Sequence, residues 1–188
     1  MHHIHLEKSG LRGLGIAESF KYGDSTSRLA GVVIRRDFIV DGFVFGKCTI
    51  GGDDATDAIL DMYCRLDRDD VNYIIISGLI ISMYNFINIK KIWEVTKIPV
   101  IAVTYEESLG IEGAIRHHFP NSCEKKLAEY YKLDKRKEMT LRTGHKLYFR
   151  HEGCLLEETV KFLDTLTLQG SIPEPVRVAQ LLARASLS

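Results

Sequence analysis

Four aspartates crowd the stretch Asp53-Asp54-Ala55-Thr56-Asp57-Ala58-Ile59-Leu60-Asp61. Asp54, Asp57 and Asp61 fall at i, i+3 and i+7, a spacing that puts three carboxylates on one face of a helix. Hard divalent cations such as Mg2+ take such oxygen ligands, usually one or two carboxylates with water and a substrate phosphate completing the shell. The same residues have a plainer use. Acidic groups at a helix start accept from free N–H groups and suit the positive end of the helix dipole. Thr56 beside them serves a cap or packs.

Further along, Ser77-Gly78 and Thr104 stand at the ends of two apolar runs, Val71 to Ser77 and Pro99 to Thr104. In open α/β sheets, ligands bind beyond the carboxyl ends of parallel strands, so these positions mark where a site would lie. Tyr105-Glu106-Glu107 adds acid near that edge. Ser77 has no His and acid at a spacing that would make it a nucleophile. In Arg116-His117-His118 the adjacent histidines point in different directions on a helix, which argues against a two-His metal site. Thr143-Gly144-His145-Lys146 is a polar turn, Glu157-Glu158 opens a helix, and Pro173-Glu174-Pro175-Val176-Arg177 is a rigid corner whose Arg177 could contact phosphate or carboxylate. Beyond that corner, Val178, Leu181 and Leu182 read as core.

The elements that must position these groups follow from the apolar period. Short apolar segments around Leu14–Ile16, over Arg28–Arg36 and over Phe38–Ile50 predict three strands in an antiparallel meander, with Arg36-Asp37 as a tight turn and Gly42 and Gly46 as bulges. Then the period lengthens. Ala58, Ile59, Met62 and Leu66 follow helical spacing. Val71 to Ser77 and Pro99 to Thr104 are continuous apolar runs, typical of strands buried on both faces. A helix over Asn85–Thr96, with Ile89, Ile92 and Trp93 on one face, separates them. Strand–helix–strand–helix–strand implies parallel pairing with right-handed crossovers. Helices are expected over 111–119, 124–133, 155–168 and 175–185, with an edge hairpin or loop over Thr140–Arg150 turning at Gly144. The element order is that of a ribonuclease H-like α/β fold: three antiparallel strands, then two parallel strands, with helices on both faces. No repeat or linker interrupts 1–188, so one domain is expected.

The chain has 188 residues, with 25 Lys+Arg against 25 Asp+Glu, so recognition of nucleic acid by bulk charge is disfavoured and phosphate contact would need a local patch or a metal. At 45% hydrophobic residues the composition is that of a globular protein. Cys48, Cys64, Cys123 and Cys154 lie far apart with no zinc-ligand spacing, which predicts reduced thiols in a cytoplasmic protein. No apolar run approaches a membrane span, and no signal-peptide core is present. His2, His3 and His5 read as part of a frayed tail.

The runs Val40-Asp41-Gly42, Thr49-Ile50-Gly51-Gly52-Asp53-Asp54-Ala55-Thr56-Asp57-Ala58, Ser77-Gly78, Pro99-Val100-Ile101-Ala102-Val103-Thr104 and Ile172-Pro173-Glu174-Pro175-Val176-Arg177-Val178-Ala179 are similar to an archaeal family of endonuclease V-like proteins, the deoxyuridine endonucleases. The resemblance runs from about Gly13 to Ala185. It implies the ribonuclease H-like fold and cutting of DNA or RNA beside a deaminated base, uracil or hypoxanthine, with Mg2+ or Mn2+. Members carry Gly-Ile-Asp-Asp where this chain reads Gly15-Ile16-Ala17-Glu18, and Leu-Asp-Gly where it reads Ile76-Ser77-Gly78. A basic residue often follows the fifth strand, where this chain has Tyr105.

By the resemblance, the surviving set is Asp54, Asp57 and Glu157 as metal ligands, with Asp57, Glu157 and Glu18 as the catalytic carboxylates. Glu18 lies one step along the strand from Ala17 and so faces the other side. His145, Lys146 and Arg177 are the expected nucleic-acid contacts. Two readings follow: a metal-dependent endonuclease, or a non-catalytic module on the same fold that binds nucleic acid or a protein partner.

Overall fold

The computed structural model describes residues 10–107 and 110–187; His2, His3 and His5 lie outside them. Strands β1 (Arg12–Ser19), β2 (Thr26–Arg35) and β3 (Val40–Thr49) form the expected antiparallel meander. Helix α1 (Ala55–Leu66) then leads into β4 (Val71–Ser77), which pairs parallel to β1. A two-stranded hairpin of β5 (Ile80–Ile81) and β6 (Asn85–Phe86) precedes α2 (Ile89–Thr96) and β7 (Val100–Thr104), which pairs parallel to β4. After α3 (Glu112–His118) and α4 (Cys123–Tyr131), the hairpin of β8 (Lys137–Thr140) and β9 (Lys146–Glu152) adds antiparallel to β7. Helices α5 (Leu156–Leu166) and α6 (Glu174–Ala185) close the described chain. The sheet order is β3-β2-β1-β4-β7-β9-β8. This is the ribonuclease H-like arrangement, widened by the β8–β9 hairpin turning at Gly144.

The alternation of side chains along β1 assigns the two faces. Leu14 and Ile16 join the layer containing Ile59 and Met62 of α1 and Ile92 of α2. On the other side, Tyr73, Ile75, Ile101 and Val103 pack with Phe162, Leu163 and Leu166 of α5, and Ala17 and Val32 pack with Ala179 of α6. Burial of these apolar side chains at about 25 cal/mol per Å2 is the dominant stabilising force.

Two local expectations change. Asn85–Phe86 is strand, and the helix begins only after Asn88, whose side chain accepts from the Lys91 amide (2.9 Å). Asn85 is held elsewhere: its Oδ1 accepts from the Ala55 amide at 3.0 Å and so caps α1 from a distance. Gly46 makes no bulge. A Cβ there would lie 2.6 Å from the Met62 side chain, so the glycine lets α1 approach β3. The register shift lies instead between Val33 and Ile34, opposite Gly42 and Val40. All four cysteines are free, with Cys48 and Cys154 buried. Among the described residues, no helix is long and apolar enough to cross a membrane.

Candidate functional site

Register carries two of the singled-out residues to one place. Ile16 pairs with Ile76 across β1 and β4, so Ala17 and Ser77 follow side by side at the carboxyl ends of these strands. Both face α6. Up to Ala17 the strand presents only Gly13 and Gly15 on this side, and a Cβ at Gly15 would lie 2.2 Å from the Pro175 carbonyl. That close approach presses Ala179 onto Ala17, which is 3% exposed. Ser77 accepts a hydrogen bond from Gln180 Nε2 at 3.0 Å. Tyr105 lies beside it; burial pushes the phenol well above its ordinary range, and the Ser77 hydroxyl opposes that only in part.

The meeting point is therefore an alanine, a hydroxyl and an amide, with no carboxylate. Mg2+ and Mn2+ want anionic oxygen ligands, and these residues do not fit such an ion. Among the described residues, no three His, Cys, Asp or Glu side chains stand close enough to share a metal.

The structure does not bring the expected carboxylates together. Asp54 precedes α1 but does not cap it. Its carboxylate turns back to accept from the Thr49 amide (3.0 and 3.1 Å), the Thr49 hydroxyl (2.8 Å) and Asn85 Nδ2 (2.7 Å). Burial alone would raise its pKa, but these bonds outweigh it and hold the carboxyl below its ordinary value. With its lone pairs so engaged, Asp54 locks the β3–α1 loop. Asp57 sits on α1, across the sheet from α6; its side chain is 69% exposed and pairs with Lys91 at 2.6 Å. Asp61 pairs with Arg65 at 2.8 Å. Glu157 is exposed in the first turn of α5. Since β9 runs antiparallel to β7, with Glu152 opposite Val100, α5 begins beside the amino end of β7, the opposite edge from Ser77.

Glu18, as its parity requires, faces away from Ala17. Its Oε1 accepts from the Ser82 amide at 3.4 Å, while Oε2 is buried with no partner among the described residues. Burial pushes the carboxyl up, against the two hydrogen bonds from Ser82. A carboxyl that binds its proton more tightly folded than unfolded contributes fully below about pH 4.5, its ordinary value, and that contribution is lost as pH rises through the folded value. Glu18→Gln should therefore raise the melting temperature at neutral pH by about 2–4 °C, or about 1 kcal/mol for removing an unpaired buried charge. In calorimetry across pH the gain should vanish below about pH 4.5; a loss at neutral pH would refute this account.

Of the three expected nucleic-acid contacts, His145 and Lys146 share the β8–β9 hairpin and Arg177 lies apart on α6. His145 bonds the Thr143 carbonyl (3.1 Å) in the β8–β9 turn, and Lys146 pairs with Glu138 at 2.7 Å. Arg177 is gripped by Glu174 through Nε and Nη2 at 2.7–3.0 Å, which raises its pKa. Of the α6 residues read as core, Leu181 is exposed, and Ala179 and Ala183 take the buried positions.

Three features were missed. Gln180 reaches Ser77 from α6. Lys126 is buried under the β3–α1 loop. The run Lys132-Leu133-Asp134-Lys135-Arg136-Lys137 lines two cavities, of about 380 and 530 Å3, the second reaching Gly78 and Thr104 at the carboxyl edge of β4 and β7. Only the last had a sequence signal: four cations in six residues of a chain with no net charge.

Residues 9–187 match the family model described as endonuclease dU. A UPF0215 protein of Pyrobaculum calidifontis is 34% identical over 171 residues, covering 90% of this chain and 93% of that protein. A crystal structure of a protein of unknown function from Archaeoglobus fulgidus superposes with TM-score 0.79 at 27% identity, over 94% of this chain and 98% of the other. Endonuclease V of Ciona intestinalis, solved with a DNA containing inosine, superposes with TM-score 0.62 over 94% of this chain and 85% of that one. At 12% identity that likeness is one of fold. With almost its whole length matched, the chain belongs to the endonuclease dU family.

Proposed function

We propose that this protein binds nucleic acid carrying a deaminated base, uracil or hypoxanthine, in the DNA-repair setting of its family in the cytoplasm, without cutting it. The observation that carries the second half is the uncharged, tightly packed meeting of Ala17, Ser77 and Gln180. Metal-assisted phosphodiester hydrolysis requires carboxylates that place the cation, activate water and stabilise the leaving oxygen. Asp54, Asp57, Glu157 and Glu18, the acids that would have to hold Mg2+ or Mn2+ instead, stand on three separate parts of the fold, each bonded, exposed or desolvated on its own. Support for the first half comes from the family and from a fold shared with an endonuclease V that holds inosine-containing DNA.

Fluorescence anisotropy with labelled duplexes and single strands, each bearing one deoxyuridine or deoxyinosine, tests the binding. Tighter binding than to the undamaged sequence is expected, with a shallow salt dependence because the chain has no net charge. Gel analysis of the same strands with Mg2+ and with Mn2+ should show no product. Metal-dependent nicking abolished by Asp57→Ala would reinstate the endonuclease reading. No affinity for any of these strands would leave an interaction role.

A further inference from the structure

The cavity of about 380 Å3 between the start of α2, the end of α4 and the β8–β9 hairpin has a floor of Leu79, Phe86, Ile87 and Leu133. Its volume lies in the range of small-ligand pockets. Around this floor stand five cationic side chains, Lys90, Lys132, Lys135, Lys137 and Arg150, against three acidic ones, Glu129, Asp134 and Glu152. Among the described residues, only Lys132 has a carboxylate in contact, Glu129 at 2.6 Å. Lys135 and Lys90 have no ion-pair contact among the described residues, although Glu152 feels the Lys90 charge.

The other two cations have no carboxylate in contact among the described residues. Arg150 is half-buried, and its guanidinium donates to the Asp134 backbone carbonyl, with no side-chain carboxylate in contact. Burial and then the neighbouring Arg136 disfavour its charge, more than Tyr130 and Asp134 favour it, yet a guanidinium does not give up its proton. Lys137 Nζ lies 2.9 Å from His151 Nε2. His151 Nδ1 lies 3.1 Å from the Cys154 carbonyl. A carbonyl can only accept, so Nδ1 carries the hydrogen and Nε2 accepts from the lysine. Burial and the Lys137 charge push the imidazole pKa down, which keeps it neutral. The histidine thus holds an ammonium at the cavity wall without neutralising it. Excess positive charge over an apolar floor is an incomplete arrangement, and an anion with an apolar body would complete it.

We propose that this cavity binds a nucleotide bearing a phosphate monoester, with Lys135, Lys137 and Arg150 on the phosphate and Leu79, Phe86, Ile87 and Leu133 against the base or sugar. It shares Leu79, Leu133, Asp134, Lys135 and Arg150 with the cavity that opens at Gly78 and Thr104. The nucleotide therefore sits next to the cavity that reaches the carboxyl edge of the sheet, and on the opposite face from the Ala17–Ala179 contact. A free mononucleotide and the 5′-phosphorylated end of a nucleic-acid strand present the same chemistry.

Isothermal titration of the full chain with deoxyuridine monophosphate, with deoxyuridine, and with a short oligonucleotide bearing or lacking a 5′-phosphate tests the assignment. The monophosphate or the 5′-phosphorylated strand should bind at least about 10-fold more tightly than its phosphate-free counterpart, the value of one lost charge-assisted contact. Binding of the monophosphate assigns a free nucleotide; binding of the phosphorylated strand alone assigns a strand end. Lys135→Ala and Lys137→Ala, both on the exposed rim, should each weaken that binding without changing the melting temperature. Equal affinity with and without phosphate overturns the proposal, as does unchanged binding in both variants. Because the mononucleotide is read without DNA, failure of deaminated-base recognition would not be mistaken for failure here.

Discussion

Lys126→Met should lower the melting temperature by about 10 °C, the largest stability loss we expect from a single charge removal in this chain. The Lys126 side chain is only 5% exposed, and its ammonium reaches Asp53 Oδ1 (2.8 Å), the Gly52 carbonyl (2.6 Å) and the Tyr84 carbonyl (2.9 Å). The rings of Phe119 and Phe86 lie 5.4 and 5.9 Å from it. It thereby ties α4 to two loops at the carboxyl edge of the sheet. One of these is costly by itself: Ser82, Met83 and Tyr84 are three successive non-glycine residues at φ of 47°, 56° and 65°. Left-handed backbone at such residues costs about 1–2 kcal/mol each and persists only where surrounding contacts hold it. Methionine would match the aliphatic stem but strand two carbonyls and half of Asp53, whose other oxygen keeps Lys125 at 2.5 Å. Asp53 is half-exposed and keeps Lys125, so the loss falls mainly on the two stranded carbonyls, at about 1–3 kcal/mol each. Thermal unfolding followed by circular dichroism reads the shift; a change below about 2 °C would mean that Lys126 is not the clamp.

Ala17→Asp should destabilise the protein by about 4 kcal/mol, again about 10 °C in melting temperature. The added carboxylate would enter the buried apolar contact with Ala179 and Val32, where Ala17 is 3% exposed. Ser77→Asp should cost much less, because Ser77 is half-exposed and Gln180 can donate to the new carboxylate as it does to the hydroxyl. In the double variant the two carboxylates repel, and Mn2+ should recover part of the loss by bridging them, whereas it should leave the natural protein unchanged. Scanning calorimetry with and without Mn2+ separates these cases. If Ala17→Asp melts with the natural protein in the absence of metal, the tight seating of α6 is not what holds this position shut.

The two substitutions mark where reading the chain stops. Strands, helices and their order were legible because the period of apolar residues is a local property, and the parallel pairing followed from crossover handedness. The absence of carboxylates at Ala17 and Ser77 was legible too, as was the opposite facing of Glu18, since side chains alternate along any strand, although the resemblance still set Glu18 among the catalytic carboxylates. Asp57 and Glu157 were not legible as separated. Nothing in their spacing records that α1 and α6 cover opposite faces, or that the β8–β9 hairpin starts α5 at the far edge. Nor does a sequence show that Asp54 spends its lone pairs on Thr49 and Asn85, or that Gln180 and Lys126 arrive from distant helices. The sequence by itself determined the fold class and the uncharged residues at positions 17 and 77. Only the tertiary structure decided which remaining charges meet, because register and layer packing are set by contacts between residues far apart in the chain.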